Sequence, residues 1–171
     1  MEKNFDKKSD DILEKLVHIN RITKVVKGGR RFGFSALVVV GNQAGRIGIA
    51  HAKVKQVPDA IKKANEMARR NFIHIPLKEG RTIHHDVSGK DGAGIIKLRA
   101  APKGTGIIAG GSVRAVCEVL GIKDIVAKSM GTSNPHNVIR ACMKALTKQS
   151  SPKHIAAIRN KRISEIVGNR G

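Results

Sequence analysis

An alternating apolar pattern between two glycine-containing turns most constrains how this chain can fold. From Arg31 to Val40 the even-numbered residues are all apolar, which places one side of an extended segment against a core. The sequence Lys27-Gly28-Gly29-Arg30 precedes this segment and residues 41–45 follow it, and both stretches are typical of turns. Outside the turns lie two further strand-like segments, Leu16–Val26 and Arg46–Val54. The pattern predicts three consecutive strands in an antiparallel meander.

The first clear helix follows these strands. Pro58 suits the first helical position, where its missing N–H leaves no hydrogen bond unmade. Apolar residues recur at helical spacing from there to about Ile73, which predicts one buried helix face. These residues are Ile61, Ala64, Ala68 and Phe72. Residues 12–77 are therefore predicted to form a β-β-β-α unit whose helix covers one face of the sheet.

The remaining segments predict a second unit after a Pro- and Gly-containing linker at residues 75–80. Its first part is a hairpin of Thr82–Val87 and Gly94–Ala100 around a turn at Ser88–Gly92. A glycine-rich stretch then leads to a helix that Ser112 caps and Gly121 ends. After it we expect a strand at Ile125–Ser129 and helices opened by Asn134-Pro135 and Ser151-Pro152.

These elements predict an α+β fold of two small domains, at residues 12–77 and 78–160. Residues 1–11 are polar and mixed in charge, so we expect a disordered leader there. Residues 161–171 are expected to form a basic tail.

Positive charge is concentrated after the first sixteen residues. The chain has 33 Lys and Arg against 13 Asp and Glu, a formal charge of +20, and residues 17–171 hold 29 basic and 8 acidic residues. Such a charge is tolerated where a polyanion supplies the counter-charge, whereas solubility alone needs a net charge of roughly 2–8. Four Phe, with no Trp and no Tyr, favour a nucleic acid held by its phosphates and shape over one recognised by base stacking.

Two clusters of basic residues are the candidate RNA contacts. The denser one is the first strand-to-strand turn, where two glycines let the backbone approach a phosphate closely. Its members are Arg21, Lys24, Lys27, Gly28, Gly29, Arg30 and Arg31. The second cluster lies on the first helix and comprises Lys62, Lys63, Arg69 and Arg70. The alternatives are an ordinary hairpin turn for the first cluster and a solvated helix face for the second.

The glycine-rich stretch before the second helix is a candidate docking site. Backbone N–H groups at a helix N-terminus after a glycine loop favour an anion, but the glycine spacing fits neither nucleotide-binding motif. An RNA phosphate or a protein partner suits the loop better, and the alternative is a loop needed only for chain geometry. The candidate residues are Lys103, Gly104, Thr105, Gly106, Gly110, Gly111 and Arg114.

The other reactive side chains show no catalytic or metal-binding pattern. Cys117 and Cys142 fall on apolar helix faces and are interpreted as buried hydrophobes. His84 and His85 point to opposite sides of a predicted strand, so they do not share a metal ion. We therefore predict no enzyme, no cofactor and no metal; a nucleotide-using enzyme built around residues 104–112 is the alternative. No stretch approaches the ~20 apolar residues of a membrane span, so we expect a cytoplasmic location and no membrane partner.

Several segments resemble the signature of the bacterial-type ribosomal small-subunit protein five family. They run in one order through about residues 11–168 without a large gap. The matching stretches are Val26–Arg30, Phe34–Leu37, Val39–Gly41, Ala68–Asn71, Gly104–Gly111, Arg114–Val116 and Ser133–Val138.

The resemblance implies a double-stranded-RNA-binding-like β-β-β-α domain without a leading helix, followed by an α/β two-layer domain in which a sheet packs on helices. It implies a structural constituent of the small ribosomal subunit that stabilises the head relative to the body and contributes to translational accuracy. The partners it implies are small-subunit ribosomal RNA and small-subunit ribosomal proteins four and eight, with the glycine loop near protein four. The remaining alternative is a free RNA chaperone or double-stranded-RNA-binding regulator.

Overall fold

An antiparallel sheet and one helix form the first unit. The computed structural model describes residues 12–167, so the predicted leader and the last four residues of the predicted tail lie outside the described residues. The sheet order is β1-β2-β3-β4, with each strand antiparallel to its neighbour. The elements are β1 at Leu13–Val26, β2 at Gly29–Gly41, β3 at Arg46–Val54, α1 at Val57–Arg70 and β4 at Ile73–His74.

The second unit is a four-stranded sheet packed on helices. Its strand order is β5-β6-β8-β7, and only the β7–β8 pair is parallel. The elements are β5 at Val87–Asp91, β6 at Gly94–Ala100, β7 at Ile107–Ile108, α2 at Gly111–Leu120, β8 at Ile125–Gly131, α3 at Pro135–Lys148, α4 at Pro152–Arg159 and α5 at Ile163–Val167. The predicted α+β fold of two small domains is confirmed. Within the described residues, no helix combines the length and the apolar character needed to cross a bilayer.

The second half of strand β2, residues 35–41, is buried on both faces. Helix α1 covers one face, where Val38 and Val40 pack with alanines of α1. The opposite face carries Leu37 and Val39, which belong to the same buried cluster as Val119 and the other apolar residues of α2 and α3. The two units therefore share one continuous core.

Backbone hydrogen bonds join the units where α2 ends. The N–H of Gln43 donates to the carbonyl of Val119 at 3.1 Å, and the N–H of Gly45 donates to that of Leu120 at 3.1 Å. These are carbonyls that a helix C-terminus leaves without partners inside the helix. Gly121 ends α2 in a left-handed conformation, with φ at +92°. The β2–β3 loop of the first unit thus supplies hydrogen-bond donors to the C-terminal carbonyls of α2 in the second unit.

A pair of histidines lies at the contact between the units. His51 of β3 and His136 of α3 meet edge to face, with ring centroids 4.7 Å apart. The Ser35 Oγ lies 2.7 Å from the Nε2 of His51. Burial, followed by the positive charges of Lys53 and Arg140, lowers the pKa of His51 below its usual value. Burial also lowers the pKa of His136, with His51 and Arg140 adding to the effect.

The predicted turn at Ser88–Gly92 is wrong, because most of it is strand β5 and the chain reverses at Gly92-Ala93. Gly89 serves a close approach to α3 instead, since a Cβ there would lie 2.6 Å from the backbone nitrogen of Ala145. The glycine is therefore required by the packing of β5 against α3, and the neighbouring sequence alone gives no sign of that contact.

The predicted strand at Thr82–Val87 is also wrong over most of its length. Val87 is the first residue of β5, residues 83–86 belong to no strand, and Thr82 makes an isolated β-bridge to Lys78. The next residues bond instead to the chain just after α3: the N–H of His84 donates to Gln149 Oε1 at 3.3 Å. The backbone of this segment thus forms a hydrogen bond with a side chain where the predicted strand would have bonded to the backbone of a neighbouring strand.

Two helix boundaries differ from the sequence expectation. Helix α1 ends at Arg70 and not near Ile73, because Ile73 joins His74 in a short strand beside β3. Helix α2 begins after Gly110 with no side-chain cap, so Ser112 does not cap it. The helices expected to open at Asn134-Pro135 and Ser151-Pro152 are present, and the side chains of Asn134 and Ser151 cap them by accepting a backbone N–H two or three residues ahead.

Candidate nucleic-acid interface

The β1–β2 hairpin continues past the end of β3 as a free two-stranded arm. Strand β2 pairs with β3 only as far as Phe34, which lies opposite Val54. Residues 22–26 and 29–33 pair with each other and are joined by Lys27 and Gly28. At roughly 3.3 Å per residue, this five-residue extension reaches about 16 Å from the sheet. We call residues 21–33 the arm.

The arm carries exposed cations whose charge is not balanced nearby. Lys24, Lys27, Arg30 and Arg31 are all exposed, and none has an acidic partner among residues 12–167. Lys24 lies directly opposite Arg31 in the ladder, and like charges in that position destabilise a strand pair. The arm is therefore suited to a ligand that supplies negative charge.

The tip of the arm is sterically open. Gly28 and Gly29 have no heavy atom within 4 Å of where a Cβ would stand, apart from their chain neighbours. Gly29 has φ at +127°, a conformation that side-chain-bearing residues rarely adopt. Gly28 in the turn and Gly29 at the start of β2 thus leave the backbone at the tip of the arm accessible to a phosphate ridge.

Strand alternation divides the arm into two different faces. Lys24 and Arg31 share one face, whereas Val25, Arg30 and Phe32 lie on the other. The guanidinium of Arg21 lies over the ring of Phe32, 4.0 Å from its centroid. One face is therefore purely cationic at its centre, and the other combines cations with apolar surface.

The predicted cluster on α1 is not a uniform stripe. Lys62, Lys63 and Arg70 are exposed. Arg69 donates through Nε at 3.2 Å and through Nη2 at 2.6 Å to Glu14, near the end of β1 that is remote from the arm. The Arg69 charge is therefore already balanced within the protein.

The glycine loop at residues 103–111 is organised by a buried carboxylate. The N–H groups of Gly104 and Gly106 both donate to Asp124 Oδ1 at 3.0 Å. Arg81 donates to Asp124 Oδ2 through Nε at 3.0 Å and through Nη2 at 2.9 Å. The N–H of Gly106, followed by the Arg81 guanidinium, lowers the pKa of the Asp124 carboxyl. These two amides are therefore occupied and do not offer an anion site.

The outer surface of the glycine loop remains available. Lys103, Gly104, Gly110 and Gly111 are exposed, and Thr105 is partly so with its hydroxyl donating to a backbone carbonyl. Ile108 is 54% exposed. Such small residues around one apolar side chain suit the close approach of a partner's surface.

Arg114 belongs to an ion-pair group between the units. It donates to Glu118 Oε1 at 3.0 Å, and Lys15 of β1 bonds the other carboxylate oxygen. Hydrogen bonds from Lys15 and Arg114 lower the pKa of Glu118. The ion pair between Lys15 and Glu118 thus holds β1 to α2 beside the glycine loop.

The other reactive residues have structural partners. His85 Nε2 accepts the N–H of Ser150 at 3.1 Å. Burial raises the pKa of Cys117 to about 12 and that of Cys142 well above its usual value, so both thiols stay protonated. Among residues 12–167 no three His, Cys, Asp or Glu residues are grouped as metal ligands would be.

Sequence reasoning missed Asp124, Arg81 and Phe32 as site residues. Asp124 is 2% exposed and stands between apolar residues 122 and 125. A lone acid at the start of a buried strand was the available signal, because a buried charge needs a partner.

Comparison with known proteins accounts for nearly the whole chain. The family model for the ribosomal protein S5 N-terminal domain matches residues 12–76, and that for the C-terminal domain matches residues 89–159. The chain is 84% identical over 166 residues to small ribosomal subunit protein uS5 of Pelagibacter ubique, covering 97% of this chain and 98% of that one. It is 58% identical over 165 residues to the protein of the same name from Methylocella silvestris, covering 96% and 87%. The chain belongs to the ribosomal protein S5 family, a family of structural ribosomal proteins and not of enzymes.

Proposed function

We propose that the chain is a structural constituent of the small ribosomal subunit in the cytoplasm, and that it binds small-subunit ribosomal RNA through phosphates and helix shape. Its relatives bear the name of a small ribosomal subunit protein. The observation that carries the RNA-binding part is the arm, whose exposed cations have no acidic partner within the described residues.

The arm suits A-form RNA because its contacts are of the kind that such helices accept. The major groove of an A-form helix is too deep and narrow for side chains to read bases, so recognition relies on backbone and shape. Lys24 and Arg31 would neutralise phosphates on one face, with Lys27 and Arg30 at the tip. Gly28 and Gly29 would let the backbone approach the ridge.

We propose that the second contact is the outer surface of the glycine loop, which docks on small-subunit ribosomal protein four and on RNA. Protein eight is the other expected neighbour. The shared core supports this proposal, because it fixes the arm and the loop to one body. A protein that holds RNA at one end and a partner at the other can stabilise the head relative to the body, and so contribute to translational accuracy.

The salt dependence of RNA binding tests the arm directly. Each phosphate contact that is lost should reduce the slope of log K against log salt by about 0.7–0.9, since fewer counterions are released. The double variant Lys27→Ala/Arg30→Ala should therefore bind small-subunit ribosomal RNA more weakly, with a slope flatter by roughly 1.4–1.8. Affinities are measured by filter binding between about 50 and 500 mM salt, which spans about one order of magnitude in salt concentration.

The matched control is Arg99→Ala/Lys144→Ala, which removes the same number and kind of charges. Arg99 pairs with Asp86 at 3.2 Å, and Lys144 pairs with Asp91 at 2.8 Å, so their charges are already balanced. This variant should leave the slope nearly unchanged. Equal slopes for the wild type and the arm variant would show that the arm does not neutralise phosphates.

A further inference from the structure

We propose that Phe32, with Arg21 stacked on it, is a platform for one unstacked RNA base. This inference rests on the proposed RNA-binding function and adds a base contact at the exposed apolar side chains of the arm, Val25 and Phe32, for which phosphate neutralisation gives no role.

The platform is already assembled in the free protein. The Arg21 guanidinium lies 4.0 Å from the centroid of the Phe32 ring, a cation–π arrangement. Phe32 nevertheless remains 53% exposed. Phe34 and Phe72 are half-buried by comparison. An aromatic ring that a cation holds in place and that is still exposed to solvent can accept a further planar group, such as a base, in a stack.

The apolar surface on this face has no partner within the described chain. Val25 is 75% exposed and lies on the same face as Phe32. The arm extends past the end of β3, so no third strand or helix covers it. Exposed apolar side chains on a projecting hairpin indicate a surface that becomes covered on binding.

The surrounding charge identifies the occupant as nucleic acid. No Asp or Glu occurs between Glu14 and Asp59 in the sequence. Lys24 and Arg31 on the opposite face are placed for phosphates, while Arg21 and Arg30 flank the apolar patch. A nucleotide supplies an anionic phosphate and an apolar base face together, and bases splayed from loops or bulges stack on aromatic and Arg side chains.

The test uses the full chain and two single-stranded RNA oligomers of equal length, one with bases and one in which the central nucleotides are abasic. Stacking on an aromatic side chain strengthens binding by roughly 5- to 150-fold per base. The wild type should prefer the base-bearing oligomer by about this factor. Phe32→Leu keeps an apolar side chain and should lose the preference, whereas Phe32→Tyr should retain it.

The salt slope separates this inference from the function on which it rests. Phe32→Leu should leave the slope unchanged, since no phosphate contact is removed. If Lys27→Ala/Arg30→Ala flattens the slope but Phe32→Leu keeps the base preference, the platform is wrong and the phosphate contact stands. If Phe32→Leu leaves both RNA affinities unchanged but weakens incorporation into the small subunit, the patch contacts protein and the inference is overturned. Because Phe32 lies on the exposed arm, these variants should fold as the wild type does, which circular dichroism can verify.

Discussion

Replacing Gly121 with alanine tests the joint between the two units. Gly121 ends α2 with φ at +92°, and a Cβ there would lie 2.5 Å from the carbonyl carbon of Gln43. The substitution therefore imposes a left-handed backbone on an L-residue and also forces α2 away from the β2–β3 loop. Because that loop completes the α2 C-terminus, we expect Gly121→Ala to lower the stability of both units together.

The expected loss follows from these two effects. A left-handed conformation costs an L-residue about 1–2 kcal/mol, and overpacking a closed contact typically costs about 1–3 kcal/mol. Their sum predicts a loss of unfolding free energy of about 2–5 kcal/mol. For a chain of this length each kcal/mol lowers Tm by roughly 2–4 °C, so Tm should fall by about 4–20 °C.

Gly104→Ala is the matched control, since Gly104 has φ at +97° but no atom within 4 Å of a Cβ. It should lose only the backbone component, about 1–2 kcal/mol. Unfolding is followed by far-ultraviolet circular dichroism, because the chain has no Trp and no Tyr for fluorescence. Equal destabilisation by the two substitutions would refute the tight joint at Gly121, and two separate transitions in the wild type would refute the shared core.

Two further predictions concern the glycine loop and pH. Asp124→Asn should accelerate amide hydrogen exchange at Gly104 and Gly106 by about tenfold or more, because hydrogen bonds to a charged acceptor are the stronger class; unchanged exchange would mean that the carboxylate does not hold the loop. Lowering the pH should destabilise the protein. The pKa values of His51 and His136 are lowered in the folded state. As the pH falls below 6.5, the usual pKa of histidine, the unfolded chain therefore binds more protons than the folded protein does. The urea midpoint of the wild type should accordingly be lower at pH 5.5 than at pH 7.5. The difference between the two midpoints should be smaller in a His136→Gln variant. A wild-type midpoint that is higher at pH 5.5 would contradict the reasoning.

The first sheet could be predicted from sequence because its signals are local. Alternating residues such as Val38 and Val40 and the glycine turns on either side specify strands and their order. The burial of the second face could not be predicted in this way. Leu37 and Val39 make residues 36–40 continuously apolar, and their partners in α2 lie far along the chain.

Glycines show the same division between local and distant causes. Lys27 and Gly28 form a turn within the stretch where the sequence predicts one, and Gly29 begins β2 directly after it, because this turn needs only its own residues. Gly89 also stands among turn-forming residues, yet it lies inside β5 because α3 approaches it closely. Only the folded arrangement distinguishes a glycine needed for a turn from one needed for contact.

The candidate site also has features that nearby residues determine and features that distant residues determine. The exposed cations of the arm follow from a hairpin whose charges are close together in sequence. The amides of Gly104 and Gly106 looked available for an anion, but Asp124, some twenty residues later, already occupies them. Arg69 is paired with Glu14 across 55 positions, a partner that helical periodicity cannot reveal.

The shared core has a consequence for how the chain is made. The sheet of the first unit can form and receive α1 early, but its second face, with Leu37 and Val39, is covered only when Val119 has been synthesised. At about 5–20 residues per second, the roughly 80 intervening residues take about 4–16 s. During that interval an apolar sheet face remains in water on the nascent chain. Translation speed through the second unit therefore sets how long this face must avoid other chains, and the repulsion among like-charged copies helps to keep them apart.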